Sequence, residues 1–225
     1  GPQAGRQPKE YVVPPQIFAT ADKQEYNKQV GDERVHLLRG AFYLRITDPG
    51  HPAFELRAER AVMFAPKAAE TKGENTLAQV TGIYLEGDVA LDYGNFQMRA
   101  ERLYYDFLSN RVIVLDGVMT AVDEERNLPM VLRAEEIRGY NVRNEAAREF
   151  AAKSVKFSTS EFHTPHYHIG ASNAYLQPID AVAPMPRQEE DKRSTRQVYA
   201  YRASDATMNF AGVPVFWWPF VSGDT

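Results

Sequence analysis

The chain has 225 residues, 44% of them apolar and 25% charged, with a net charge of −4 and no cysteine. That is enough apolar material for one sizeable globular domain. The mild negative balance, without any Lys/Arg stripe, argues against nucleic acid as the main partner. Lack of cysteine rules out disulfides and thiolate metal sites, and without a run of about 18 apolar residues no membrane-spanning helix is expected.

In chain order, residues 1–16 are polar and Pro-rich and are expected to form a flexible tail. Gly1-Pro2 reads as either a protease scar or a trimmed mature end, from which a secretory leader has been removed. Strand patterning is expected over 17–177. Gly40-Ala-Phe-Tyr-Leu-Arg-Ile46 is a glycine followed by an alternating strand, and the same form returns at Gly87-Asp-Val-Ala-Leu-Asp-Tyr93 and Gly117-Val-Met-Thr-Ala-Val122.

A second phrase recurs with its hydrophobic spacing intact: Phe54-Glu-Leu-Arg-Ala-Glu-Arg-Ala-Val-Met63, Phe96-Gln-Met-Arg-Ala-Glu-Arg-Leu-Tyr-Tyr105, Met130-Val-Leu-Arg-Ala-Glu-Glu-Ile-Arg-Gly139, and a worn copy, Tyr167-His-Ile-Gly-Ala-Ser-Asn-Ala-Tyr-Leu176. The central alanines, Ala58, Ala100, Ala134 and Ala171, lie 42, 34 and 37 residues apart, too irregular for a strict solenoid. Before each alanine apolar residues alternate with polar ones, the period of a half-buried strand. After it the phase slips by one residue, which is what a β-bulge or sharp bend produces. Each copy is therefore expected to turn a corner just past its alanine. Turns are expected at Thr47–Gly50, Tyr93–Asn95, Ser109–Asn110, Asp123–Asn127 and Asn141–Asn144, where Gly, Asn, Asp and Pro supply the needed dihedrals.

Residues 178–197 read as a solvated loop or linker, and 198–225 as final strands. The stretch 145–153 has helical composition but no convincing helical stripe. The chain closes on Phe216-Trp-Trp-Pro-Phe220, either the last core strand or an aromatic belt near a membrane interface.

Candidate chemistry is sparse. His163, His166 and His168 cluster around Pro165, and imidazoles so placed bind zinc or copper; the alternative is a polar loop entering a strand. No neighbouring carboxylate or cysteine completes a ligand set, so no metal is assigned. Ser158 and Ser160 lack a nucleophile elbow. Glu59, Glu101, Glu135, Asp88, Asp92 and Asp106 fall mostly on the polar phase of strands, with Arg57–Glu59 and Arg99–Glu101 expected as solvated ladders. No phosphate loop or dinucleotide fingerprint occurs, and no catalytic residue or cofactor is assigned.

The pattern Gly-Asp-Val-x-Leu…Phe-x-Met-x-Ala-Glu-x-Leu-x-Tyr-Asp…Val-x-Val-x-Asp-Gly-Val over Gly87–Val118 resembles the OstA-like repeat of the lipopolysaccharide transport family, whose members include LptA, LptC and the periplasmic domain of LptD. Gly212-Val-Pro-Val-Phe-Trp-Trp-Pro-Phe220 resembles the segment leading from that periplasmic domain into its barrel, and Lys156–Ser160 with Tyr167–Ala171 resembles the stretch just upstream, with Ser160 or a neighbour where cysteine is common. The resemblance spans about 36–225 and favours the LptD branch. It implies an all-β, OstA-like open β-jellyroll, a V-shaped pair of antiparallel sheets in the periplasm, associated with the outer membrane. It implies that lipopolysaccharide or a related glycolipid arrives from an LptA-like carrier by edge-strand pairing near residues 35–46. The lipid then passes to an outer-membrane barrel with its plug lipoprotein. The apolar phase nominates as groove lining Phe42, Leu44, Phe54, Leu56, Val89, Leu91, Phe96, Met98, Leu103, Val112, Val114, Met130 and Leu132, with sugar and phosphate near Arg57 and Arg99. Two other readings stand beside it: a docking domain with a closed core, and a carbohydrate-active β enzyme with two facing carboxylates.

Overall fold

The structure, a computed structural model, describes residues 16–47, 49, 52–66, 80–94, 96–123, 128–142, 147–160, 162, 164–179 and 198–224. It is all-β. Among the described residues twelve strands run in chain order: β1 (Gln16–Thr20), β2 (Lys23–Val30), β3 (Glu33–Thr47), β4 (Phe54–Pro66), β5 (Gly82–Tyr93), β6 (Phe96–Asp106), β7 (Arg111–Asp123), β8 (Leu128–Tyr140), β9 (Glu149–Ser158), β10 (Tyr167–Ile179), β11 (Val198–Phe210) and β12 (Val213–Asp224). From β3 onward each strand pairs antiparallel with the next, so the sheet is one open meander; β1 and β2 share the outer flank of β3. Ser109–Asn110 is a turn between β6 and β7, as expected, while residues 48, 50, 95, 124–127 and 143–144 of the other expected turns lie outside the described residues.

A single crease crosses the sheet at right angles to its strands. Register breaks between Arg39 and Phe42, between Arg57 and Arg60, and between Glu86 and Val89. The line continues through the gaps at Glu101 beside Asp116, Glu135 beside Ser154, Ser172 beside Asp205, and Pro219. Alternate strands meet it differently. β4, β6, β8 and β10 bring Ala-Glu, Ala-Glu, Ala-Glu and Ala-Ser. β3, β5, β7, β9 and β11 bring left-handed residues: Gly40 and Ala41, Gly87 and Asp88, Asp116, Ser154 and Asp205. An extra left-handed residue is how a bulge bends a strand and re-aims its side chains.

The glycines expected to begin strands are therefore the corners of strands already under way. Gly40 sits inside β3 and Gly87 inside β5. At Gly87 φ is +79°, and a Cβ would lie 2.6 Å from the Glu59 carboxylate, so only glycine fits without rearrangement.

From β3 onward the crease divides each strand into an upper limb, holding Phe54 and Phe96, and a lower limb, holding Met63 and Tyr105; β1 lies wholly beside the upper limb and β2 beside the lower. In β4, burial falls on Phe54, Leu56 and Ala58, then on Ala61, Met63 and Ala65. The slip thus keeps the apolar residues of both limbs on one face, and the limbs fold over it. Phe54 is level with Phe96 through Tyr93. Tyr105 is nine residues along β6, about 30 Å if the strand were straight, yet its ring lies 5.6 Å from that of Phe54. Side chains of the two limbs form one core cluster.

The edge expected near 35–46 is not free. β1 and β2 pair with β3 there, so the outer edge lies at residues 16–30. Gln16 belongs to β1, and Pro178 and Ile179 to β10; residues 1–15 and 180–197 lie outside the described residues. The 145–153 stretch enters β9, where Ser154 is the corner.

Candidate apolar site

One row of side chains crosses the upper limb from strand to strand. Paired residues give Leu44, Leu56, Leu91, Met98, Met119, Leu132, Phe157, Ile169, Met208 and Phe216 in succession. Ten strands at about 4.8 Å spacing make it roughly 40 Å long. Every member is apolar, and exposure climbs along it. Leu44, Leu56, Leu91 and Met98 are at most 3% exposed, whereas Ile169, Met208 and Phe216 reach 50%, 41% and 61%. The inward face is sealed at its β3–β6 end and open at its β10–β12 end, where Tyr167, Phe210 and Trp218 widen the apolar area.

Where the face is sealed, a seam of rings joins the limbs. Tyr93 meets Phe54 at 6.2 Å, Phe54 meets Tyr105 at 5.6 Å, and Tyr105 meets Phe107 at 4.8 Å. Phe96 stacks on Phe150 at 6.3 Å. Arg148, whose Nε donates to the Val142 carbonyl at 2.9 Å, lies 5.7 Å above the Tyr93 ring.

The nominated lining residues share this inward face. Phe42, Leu44, Phe54, Leu56, Val89, Leu91, Met98, Leu103, Val112 and Val114 are buried in the packed core, while Phe96, Met130 and Leu132 are half-buried. The open stretch was not nominated. Its signal, the apolar alternation of Tyr167, Ile169, Met208 and Phe210, was in the sequence but carried no mark of exposure.

β12 forms the other edge of the sheet, and Val213–Phe220 are exposed on both its faces, Phe216 stacking on Trp218 at 5.8 Å. The aromatic tail is a strand, but it is not core.

The opposite face carries paired charges beside exposed apolar side chains such as Tyr104 and Ile113. Arg57 bonds Glu55 at 3.1 Å and reaches Asp92 at 4.0 Å rather than Glu59, which the crease has turned over Gly87. Arg99 reaches Asp88 at 3.9 Å. Arg138 and then Lys153 hold the Glu136 carboxyl below its ordinary range. Hydrogen bonds from the Ser109 hydroxyl and amide hold Asp106 low. Ser154 donates to Glu135 at 2.9 Å.

His163 lies outside the described residues. His168 is in β10, its imidazole lowered by burial and by Lys156. Among the described residues no group of three or more His, Asp or Glu is placed to hold a metal. Ser158 is buried and donates to the Tyr167 carbonyl at 2.9 Å, a structural bond.

No protein-family model matches the chain, and no curated protein matches it.

Proposed function

We propose that this chain is a lipid-conducting domain whose inward face carries the acyl chains of a glycolipid. The transverse row supports the reading most directly. It is unbroken from Leu44 to Phe216, and its last third stands open where an ordinary core would be covered. Burying an exposed Ile, Met or Phe is worth about 1.5–3 kcal/mol each, so a fatty chain laid along Ile169, Met208 and Phe216 is held by ordinary transfer energy.

The resemblance in the repeat and tail adds the rest of the proposal. The fold is then an OstA-like open jellyroll. The cargo is lipopolysaccharide or a related glycolipid in the periplasm, the carrier docks on the β1–β2 edge, and the cargo leaves past β12 toward an outer-membrane barrel and its plug lipoprotein. A docking domain with a closed core is favoured by one observation: Leu56, Ile83 and Leu85 have no exposure at all.

The chain's two tryptophans, Trp217 and Trp218, both lie on β12. Lipid A carrying brominated acyl chains should quench their fluorescence, and a non-brominated lipid should not. Equal emission in the two cases would overturn the proposal.

A further inference from the structure

We propose that a groove on the outward face of the lower limb, crossing β8–β12, binds a sugar bearing a carboxylate. The proposal does not rest on the lipid-conducting reading, because this face lies on the other side of the sheet from the transverse apolar row.

The groove has a volume of about 390 Å³, within the range of small-molecule sites. Strand pairing explains why it is there. Arg138, Ala151, Tyr175 and Arg202 stand in one row from β8 to β11. They alternate with Ile137, Ala152 and Ala174, which belong to the inward core. Ala151 is the one small side chain in that row, so Arg138 and Tyr175 stand on either side of a gap two strands wide, roughly 10 Å. The neighbouring row, Glu136, Lys153, Asn173, Ser204 and Phe220, borders the gap on the side of the crease. Tyr140, opposite Glu149, borders it on the far side.

Three observations point to the ligand. The walls are held by bonds among themselves: Arg138 Nε donates to Glu136 Oε1 at 2.5 Å, Lys153 Nζ donates to Glu136 Oε2 at 3.3 Å, and the Tyr175 hydroxyl donates to Glu149 Oε2 at 2.5 Å. Side chains fixed in this way lose little freedom when a guest arrives. The charge is unbalanced. Among the described residues three cations line the groove, Arg138, Lys153 and Arg202, against one carboxylate, Glu136, which the first two share. Arg202 makes no hydrogen bond or ion pair with any described residue, and its planar fork of donors matches a carboxylate. Lastly, the Tyr140 and Tyr175 rings offer apolar faces beside these donors, while Asn173 and Ser204, bonded to each other at 3.3 Å, add an amide and a hydroxyl.

A bare carboxylate would use the cations and leave the rings uncovered. An acyl chain would cover the rings and take water from Arg202 without replacing it, which is costly. An acidic sugar satisfies both sets: its C–H face lies on tyrosine, its hydroxyls meet Asn173 and Ser204, and its carboxylate meets Arg202.

Titration of the isotope-labelled chain, followed by NMR, tests the site with three probes: galacturonate, galactose and acetate. Saturating amide shifts around Ala151, Tyr175 and Arg202 are expected with galacturonate, at an affinity about tenfold or more above that of either galactose or acetate. Arg202→Gln should weaken galacturonate about tenfold and leave galactose unchanged. Ala151→Leu, which fills the gap, should abolish binding with the unfolding midpoint preserved. Galactose or acetate binding as tightly as galacturonate, an Arg202→Gln variant that binds like the parent, or no saturating shift with any probe would each overturn the proposal. Lipid A micelles form the last arm. Displacement of galacturonate by them identifies a glycolipid headgroup as the occupant, and no displacement identifies a soluble sugar acid; the site stands in either case.

Discussion

The rings of Phe54 and Tyr105 touch across the fold, on strands whose geometry would otherwise hold them a sheet's breadth apart. That contact makes Tyr105 a sensitive reporter of limb closure. It has no exposure, and its hydroxyl donates to Asn110 Oδ1 at 2.5 Å. Tyr105→Ala should cost about 3–5 kcal/mol, as other buried aromatic truncations do. Tyr104→Ala, one residue away and 38% exposed on the other face, should cost about 1 kcal/mol or less. Urea unfolding of both variants checks this; similar losses would mean the limbs do not depend on the seam.

The crease makes a prediction about glycine. Gly31 and Gly87 both have positive φ, but a Cβ at Gly31 meets nothing within 4 Å, whereas at Gly87 it meets Glu59. Gly31→Ala should cost about 1–2 kcal/mol from backbone strain alone. Gly87→Ala should cost roughly 1–3 kcal/mol more, and adding Glu59→Ala should return part of that excess. A double-mutant cycle by chemical denaturation measures the coupling, and strict additivity would count against the close approach.

Asp106 gives the pH dependence. Its carboxylate accepts from the amides of Leu108 and Ser109 and from the Ser109 hydroxyl, so its folded-state value is lowered. Stability from a lowered carboxylate is present above the ordinary aspartate range and disappears as pH falls through the folded value. Asp106→Asn should therefore be less stable than the parent at neutral pH, the gap closing in acid. Thermal melts across that range test it, and a constant gap would assign the loss to something other than ionisation.

The two edges of the sheet should behave differently in solution. β2 carries Lys23, Glu25 and Lys28, charges that discourage edge pairing. Val213–Phe220 carries none and is apolar on both faces. Val215→Lys should reduce self-association in sedimentation velocity while leaving the unfolding midpoint unchanged. Asn27→Val, on the charged edge, should leave the monomer fraction as it was.

Much of this architecture was legible in the sequence. The phase slip after Ala58, Ala100 and Ala134 is the crease, because a residue pattern of period two records faces directly and an inserted residue must show as a change of phase. Less visible was that Gly40 and Gly87 stand at that same line. A glycine before an alternating run looks like a beginning unless the run before it is also read: Val35 to Leu38, and Ile83 to Leu85. Strands β1 and β2 left little trace, since an edge with most of its side chains in water needs no apolar alternation. Above all, period two reports which residues share a face and says nothing of what covers it. Leu56 and Ile169 look alike in sequence, though one is sealed and the other half-open.

Because the strands follow one another across the sheet in chain order from β3 to β12, each added hairpin would extend the apolar track by about 10 Å at its growing end without rewiring any existing pair. Reach in such a molecule is a matter of counting. A tandem duplication of one pair of strands would yield a longer version, whereas in a fold with crossed connections the same duplication would have nowhere to go.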